Sequence, residues 1–291
     1  MGNTQLQVVI DSTAMVDKEW LGQHENLHVV PLSVRIGEQE WLDTDISGAE
    51  LFQRASAAKE MPKTSQPAQG QFIQLFQELT AQGQEVVCIL LSGGLSGTAS
   101  MARMAAAQVD PRLIRVIDSG TTALGLVQMA KAALQAAEAG KSLADVVRLL
   151  DSMVRRTHTV FIPGTLEYLH KGGRIGGAAR LFGGILQLRP ILYLQNGKVQ
   201  VLDKVRTQKR ALERAMQDIR ILKRPAYVGV GHVDNQELAV QTAAQVKEAQ
   251  PEAQVEVFLI SPVIGAHTGP GLIGFIYQEN LEEAPAHDGT N

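Results

Sequence analysis

The stretch Val86-Val87-Cys88-Ile89-Leu90-Leu91-Ser92-Gly93-Gly94-Leu95-Ser96-Gly97-Thr98-Ala99 constrains the fold more than any other. It opens with an unbroken apolar run, which suits a central strand covered on both faces rather than an edge strand with one wet side. The chain breaks at Ser92-Gly93-Gly94 and passes into residues 99–107, rich in helix formers. A strand feeding a helix through a Gly/Ser turn gathers free backbone N–H groups and a positive helix end at one spot, which attracts anions. Ser96 and Thr98 add hydroxyls there. A plain serine N-cap accounts for the same residues, and both readings stay open at this point.

The chain has 291 residues, enough for two modest domains or one large one. Hydrophobic residues make up 45% and aromatics 4%, so the core is aliphatic. A net charge of −3 argues against a nucleic-acid or anionic-membrane surface. At most a transient membrane contact is expected, because no charge-free apolar run reaches spanning length. The single cysteine, Cys88, sits inside the apolar strand, which excludes an internal disulfide and fits a reducing, cytoplasmic setting. Met1-Gly2-Asn3-Thr4-Gln5 shows no basic region followed by an apolar run, and Leu6 stands where a myristoylation motif needs Ser or Thr.

Strands alternate with helices through the first half. Residues 6–10 read as a strand ending in Asp11-Ser12-Thr13, polar side chains at the sheet edge where open α/β folds bind ligands; a capping turn is the simpler alternative. A second strand is expected over 29–36, followed by a hairpin-like Gly37-Glu38-Gln39-Glu40. A helix starts at Ile46-Ser47 and carries Leu51, Phe52 and Ala55 on one face. In Met61-Pro62-Lys63-Thr64-Ser65-Gln66-Pro67 two prolines bracket polar residues. Their fixed φ predicts a stiff loop presenting Thr64 and Ser65, with Ser65 as an alternative cap for a helix over 68–79. A strand over 113–117 ends in Asp118-Ser119, and helices are expected over 121–139 and 143–156. Such alternation predicts a parallel sheet with helices on both faces.

The pattern changes near His158. A strand is expected over 159–162 and a short helix over 165–170. Lys171-Gly172-Gly173-Arg174-Ile175-Gly176-Gly177 packs glycines around one arginine, and glycine lets backbone approach a ligand or partner closely. Strands over 191–194 and 199–205 form a hairpin, because Asn196-Gly197 suits a type I′ turn. A basic helix begins at Arg206-Thr207 and carries Lys209, Arg210, Arg214 and Lys223. Further strands over 227–231, 254–260 and 273–277, with a helix over 236–249, complete an α+β unit with a mixed or antiparallel sheet. The expected division is 1–157 and 158–279, with 280–291 a frayed acidic tail.

Several motifs fail. Gly94-x-Ser96 opens a nucleophile elbow, but Thr98 stands at its closing glycine. Gly140-Lys141-Ser142 ends like a P-loop, but Gln135 occupies the first glycine position. Gly269-x-Gly271-x-x-Gly274 matches a dinucleotide fingerprint but precedes a strand where a helix is needed. The seven histidines are scattered and give no metal-ligand spacing. His267 sits in the glycine-rich turn Gly265-Ala266-His267-Thr268-Gly269-Pro270-Gly271 between apolar strands, as a structural donor or a donor to a carboxylate.

Taken together, these stretches resemble the DegV family, the fatty-acid-binding subunits of bacterial fatty acid kinase. The resemblance runs from Val8 to Tyr277 through Ile10-Asp11-Ser12-Thr13, Pro31-Leu32-Ser33-Val34, Pro62-Lys63-Thr64-Ser65-Gln66-Pro67, Leu95-Ser96-Gly97-Thr98, Asp118-Ser119, Lys171-Gly172-Gly173-Arg174-Ile175 and Gly265-x-His267-x-Gly269-Pro270-Gly271, in that order. It implies a two-domain α/β protein with one fatty acid between its domains. It implies a carboxylate held by Thr64 and Ser96 with Ser65, Gly97 and Thr268 beside them, and His267 in the same network. It implies no cofactor and no metal, an ATP-dependent kinase subunit as partner, and Arg174 and Arg206 as arginines that dock or serve it. Gly93 and Ala99 depart from the family pattern, which has Ser and an aromatic there, and Ala123 stands where Ser is common.

Burying an acyl chain of about 16 carbons supplies a gross drive on the order of 12 kcal/mol at about 0.8 kcal/mol per methylene. Polar groups then orient the head and keep its charge from being stranded. The resemblance thus implies a carrier role in phospholipid synthesis, and these energetics agree with such a ligand. The competing reading is a serine hydrolase with Ser96 as nucleophile, His267 as base, and Asp11 or Asp118 as orienter.

Overall fold

The strands Gln7–Asp11 and Val86–Leu90 are buried along their whole length, and their successive side chains pack alternately on two helical layers, which sets the first sheet between them. The structure is a computed structural model that describes residues 6–183, 188–222 and 225–280. Its first half runs β1 (Gln7–Asp11), α1 (Lys18–Gly22), β2 (Leu27–Val30), β3 (Ser33–Ile36), β4 (Gln39–Leu42), α2 (Gly48–Ala58), β5 (Lys63–Ser65), α3 (Gln69–Thr80), β6 (Val86–Leu90), α4 (Thr98–Val109), β7 (Ile114–Asp118), α5 (Leu124–Glu138) and α6 (Leu143–Arg156). The sheet order is β2-β1-β6-β7, all parallel. Val8, Ile10, Val87 and Ile89 pack with Met129, Val146 and Leu150 of α5 and α6. Val9, Val86, Cys88 and Leu90 pack with Phe72, Phe76, Ala102 and Ala105 of α3 and α4. β6 is buried along its whole length, as its apolar run requires.

Four local expectations change. Residues 29–36 are two strands, not one. Pro31 fixes φ and donates no hydrogen bond, so the chain leaves the parallel sheet there. β3 then joins a small antiparallel sheet of order β4-β3-β5. The proline-bracketed segment is not a loop: β5 pairs antiparallel with β3, with Thr64 opposite Val34. Ser65 does not cap the next helix; the Ala68 N–H donates to the Gln71 side chain instead. α5 starts at Leu124 rather than residue 121, because Ala123 takes a φ of 49° and Thr121 is held in the preceding loop by the Ser119 hydroxyl.

The second half runs β8 (Thr157–Ile162), α7 (Glu167–Lys171), β9 (Arg189–Gln195), β10 (Lys198–Val205), α8 (Gln208–Ile221), β11 (Pro225–His232), α9 (Gln236–Ala249), β12 (Gln254–Leu259), α10 (Pro262–Thr268) and β13 (Ile273–Glu279). Its sheet order is β10-β9-β8-β13-β11-β12, mixed, with β11 and β12 the parallel pair. Asn196 and Gly197 turn the β9–β10 hairpin at φ 50° and 73°, the positive pair of a type I′ turn. Thr207 caps α8 by accepting from the Arg210 N–H. His267 is not in an open turn but in the last turn of α10, which Ser261 caps and Pro262 opens. Lys223 and the tail from residue 281 lie outside the described residues. No described helix is long and apolar enough to cross a membrane.

One face of this sheet packs α8 and α9 through Leu212, Ala215, Met216 and Ala239. Its other face, with Phe161, Leu192 and Ile276, meets Ala123 and Leu124 of the first half and the partly buried Phe52 and Leu95.

Candidate functional site

Where the two halves meet, side chains leave a cavity of about 350 Å³, within the range of small-molecule pockets. Its wall is mainly apolar: Leu32, Leu91 and Leu95 from the first half, Phe161, Leu194 and Val263 from the second. Thr64, Ser65, Gln66, Ser96, Arg174, His267 and Thr268 share that wall, so segments far apart in sequence converge on one space.

His267 and Thr64 are joined directly. Thr64 Oγ1 lies 2.7 Å from His267 Nε2. His267 Nδ1 is buried and has no hydrogen-bond partner among the described residues. It packs on Gly172, where a side-chain Cβ would overlap the ring nitrogen. A buried N–H without an acceptor costs more than a buried lone pair, so we assign the proton to Nε2. His267 then donates to Thr64 Oγ1, and the Thr64 hydroxyl proton is free for a ligand. Burial, with the Arg174 charge second, lowers the His267 pKa to about 4, so the ring is neutral at pH 7.

Ser96 follows the same logic one loop away. Its Oγ lies 2.8 Å from Thr98 Oγ1 and accepts from the Thr98 N–H at 3.3 Å. The fully buried Thr98 can donate to Ser96, which leaves the Ser96 O–H for the cavity at the start of α4. The serine therefore caps locally and lines the site at once. Gly97 is the N-cap of α4 and packs against Gln66. Ser65 is exposed on the cavity rim. Thr268 commits its hydroxyl proton to the Ile264 carbonyl at 3.0 Å, so only its oxygen lone pairs remain available.

Arg174 spans the seam between the halves. Its Nε donates to the Leu95 carbonyl at 3.0 Å and its Nη1 to the Gly172 carbonyl at 2.6 Å. It therefore ties the loop carrying Ser96 to the turn supporting His267. Among the described residues it makes no ion pair, so the cavity wall carries an uncompensated cation. Arg206 is elsewhere: it is exposed, just before the Thr207 cap, and does not line the cavity. Gln66 and Gly172 belong to the site without having been singled out individually. Their signal was their place inside the Thr64 and Arg174 motifs.

A hydrolytic triad does not assemble. Ser96 is bonded to Thr98 and His267 to Thr64, and His267 Nδ1 faces Gly172 rather than a carboxylate. Asp11 accepts from Thr13 and from the Leu91 N–H. Asp118 accepts from the Gly93 and Gly120 N–H groups. No group of His, Cys, Asp or Glu side chains among the described residues has the arrangement of a metal site.

The DegV family model matches residues 5–280, nearly the whole chain. The chain belongs to the DegV family. A DegV domain-containing protein of Clostridium acetobutylicum is 34% identical over 283 residues, covering 94% of this chain and 97% of its own. Among solved structures, the fatty-acid-binding DegV family protein of Thermus thermophilus is 30% identical with a TM-score of 0.88, covering 95% of this chain and 100% of that one. DegV of Bacillus subtilis, a fatty-acid-binding protein, is 29% identical with a TM-score of 0.85 and the same coverage. The α/β fold, with its parallel first sheet and mixed second sheet, is the DegV fold.

Proposed function

We propose that this chain holds one long-chain fatty acid between two lobes, residues 1–157 and 158–279, and presents its carboxylate to a separate ATP-dependent kinase in the cytoplasm. The acyl phosphate so formed would feed phospholipid synthesis. The observation that carries the reading is an apolar cavity whose polar wall offers hydroxyl donors and a guanidinium held by backbone carbonyls, with no carboxylate partner among the described residues. That wall matches a single anionic head on a long apolar tail. The His267–Thr64 and Thr98–Ser96 contacts aim two hydroxyl protons outward, and each can donate to one carboxylate oxygen. The fatty-acid-binding DegV proteins of similar fold support the same ligand class.

Native mass spectrometry of the purified protein is expected to show a fatty-acid adduct, and solvent extraction to release it. A clean apo mass after lipid supplementation would overturn the proposal. Ser96→Ala is expected to weaken fatty-acid binding by about 1–3 kcal/mol, the range for a hydrogen bond to a buried charged group; competition with a fluorescent fatty acid measures it. Arg174 has a different expected signature. A phosphate carries up to about two negative charges against one for a carboxylate, so Arg174→Gln should impair phosphoryl transfer more than fatty-acid affinity. Equal losses in both would mean that Arg174 only shapes the pocket.

A further inference from the structure

Three cavity residues have their backbone N–H groups tied to one buried polar network. The Leu91 N–H donates to Asp11 Oδ2 at 2.6 Å. The Leu32 N–H donates to Ser12 Oγ at 3.0 Å. The Val263 N–H donates to Asp43 Oδ1 at 2.8 Å. Ser12 Oγ in turn donates to Asp43 Oδ2 at 3.1 Å, which joins the last two ties. Asp11 and Ser12 are neighbours in the chain, which joins the first.

Each of these amides is left over at an element end. Leu91 follows the last residue of β6, and Leu32 lies in the link between β2 and β3. Val263 is the second residue of α10, where no intrahelical acceptor exists. Leftover buried amides need some partner, and scattered local partners would have sufficed. Here the partners are clustered instead, and the residues they hold are apolar walls of the same cavity, also packed in one core cluster. Asp11 and Asp43 have no basic partner among the described residues. Burial raises the pKa of each to about 6, so the fold keeps this network at a cost that simple packing would not require.

We infer that the Asp11–Ser12–Asp43 network positions Leu32, Leu91 and Val263 and thereby sets the width and closure of the acyl cavity, so that it determines which chain lengths fit. None of the three lines the cavity; they act through the walls they hold. The inference rests on the acyl-binding reading above and adds a selectivity role to residues outside the head-group cluster. Fully satisfied buried polar networks are well suited to fixing one arrangement among several apolar packings.

The test uses the delipidated full chain, a series of saturated fatty acids of about 12 to 18 carbons, and competition with a fluorescent fatty acid. In a closed tunnel each added pair of methylenes should improve binding by about tenfold until the cavity is full, after which affinity falls. Ser12→Ala, which removes one hydroxyl, is expected to flatten that profile to within about threefold per step while the protein still melts cooperatively. Asp43→Asn keeps an acceptor for Val263 and should retain more of the wild-type profile than Asp43→Ala. Amide hydrogen exchange supplies a second readout: Leu32 should lose protection in Ser12→Ala, and Val263 in Asp43→Ala but not in Asp43→Asn. An unchanged length profile in folded Ser12→Ala, or unchanged exchange at these amides, overturns the inference. A wild type that binds none of the acids overturns the acyl-carrier reading instead, and the exchange pattern then decides the network by itself.

Discussion

As pH falls from about 7 to about 4, the delipidated protein is expected to lose about 3 kcal/mol of stability relative to His267→Gln. The folded protein holds the His267 pKa near 4, well below its ordinary 6.5, because the ring is buried and Arg174 is close. Below pH 6.5 the unfolded chain therefore takes up a proton that the folded protein refuses. The unfolded state binds more protons in that window, so stability rises with pH there and drains away as pH falls through it. The gap from 6.5 to about 4, at about 1.4 kcal/mol per pH unit, sets the magnitude.

Asp11 and Asp43 work in the opposite sense. Their pKa values rise from 3.8 to about 6 in the fold. The folded state binds protons before the unfolded one, so these residues gain stability as pH drops toward 4. The melting curve of the wild type alone mixes both effects. The difference between wild type and His267→Gln removes the two carboxyls, which both proteins share. Gln at 267 can still donate to Thr64, so the local hydrogen bond is not the variable. Denaturant melts of both proteins at stepped pH give the answer. A difference that stays flat between about pH 7 and 4 would mean that the imidazole is hydrated rather than buried. A bound carboxylate would favour the charged ring, so lipid-loaded protein should lose less.

How far the sequence speaks depends on how local the cause is. The β6 run and its Gly/Ser break announced the central strand because two-sided burial leaves nothing polar to alternate. Asn196-Gly197 announced its hairpin because only a few residue pairs accept two positive φ angles. By contrast, β5 and α10 were missed as elements. β5 is three residues between prolines and is a strand only because β3 lies beside it. α10 has seven residues with a glycine inside, too short for periodicity to register. The Thr64–His267 contact spans 203 residues. No spacing rule reaches that far, so the pairing came from resemblance and the structure supplied its geometry. Asp43 left no trace at all. In Leu42-Asp43-Thr44-Asp45 it reads as an ordinary surface turn, and its burial is explained by partners distant in sequence, Ser12, Ser261 and Val263.

Gly94→Ala is expected to destabilise the protein by about 3 kcal/mol and to abolish fatty-acid binding, although alanine suits the backbone at that position. Gly94 does not adopt a positive φ, so the loop conformation itself admits a side chain. The obstacle is across the seam. A Cβ there would overlap the carbonyl carbon and oxygen of Gly197 at the tip of the β9–β10 hairpin. Both sides of that contact are backbone, so no rotamer change relieves it. The hairpin tip must withdraw, and the buried Ser92 hydroxyl then loses its 2.8 Å bond to the Gly197 carbonyl. Overpacking costs about 1–3 kcal/mol and an unsatisfied buried hydroxyl about 1–3 more, part of which relaxation recovers. Function fails with it, because the loop carries Leu95 and Ser96 while the hairpin carries Leu194 and Val199, all on the cavity wall. Ser92→Ala alone removes the same hydrogen bond without moving backbone and should cost less. In the double variant that hydrogen bond can be lost only once, so the combined cost should fall short of the sum by about 1 kcal/mol. Strict additivity in denaturant melts would mean that the hairpin tip and the Ser92 loop do not share one interface.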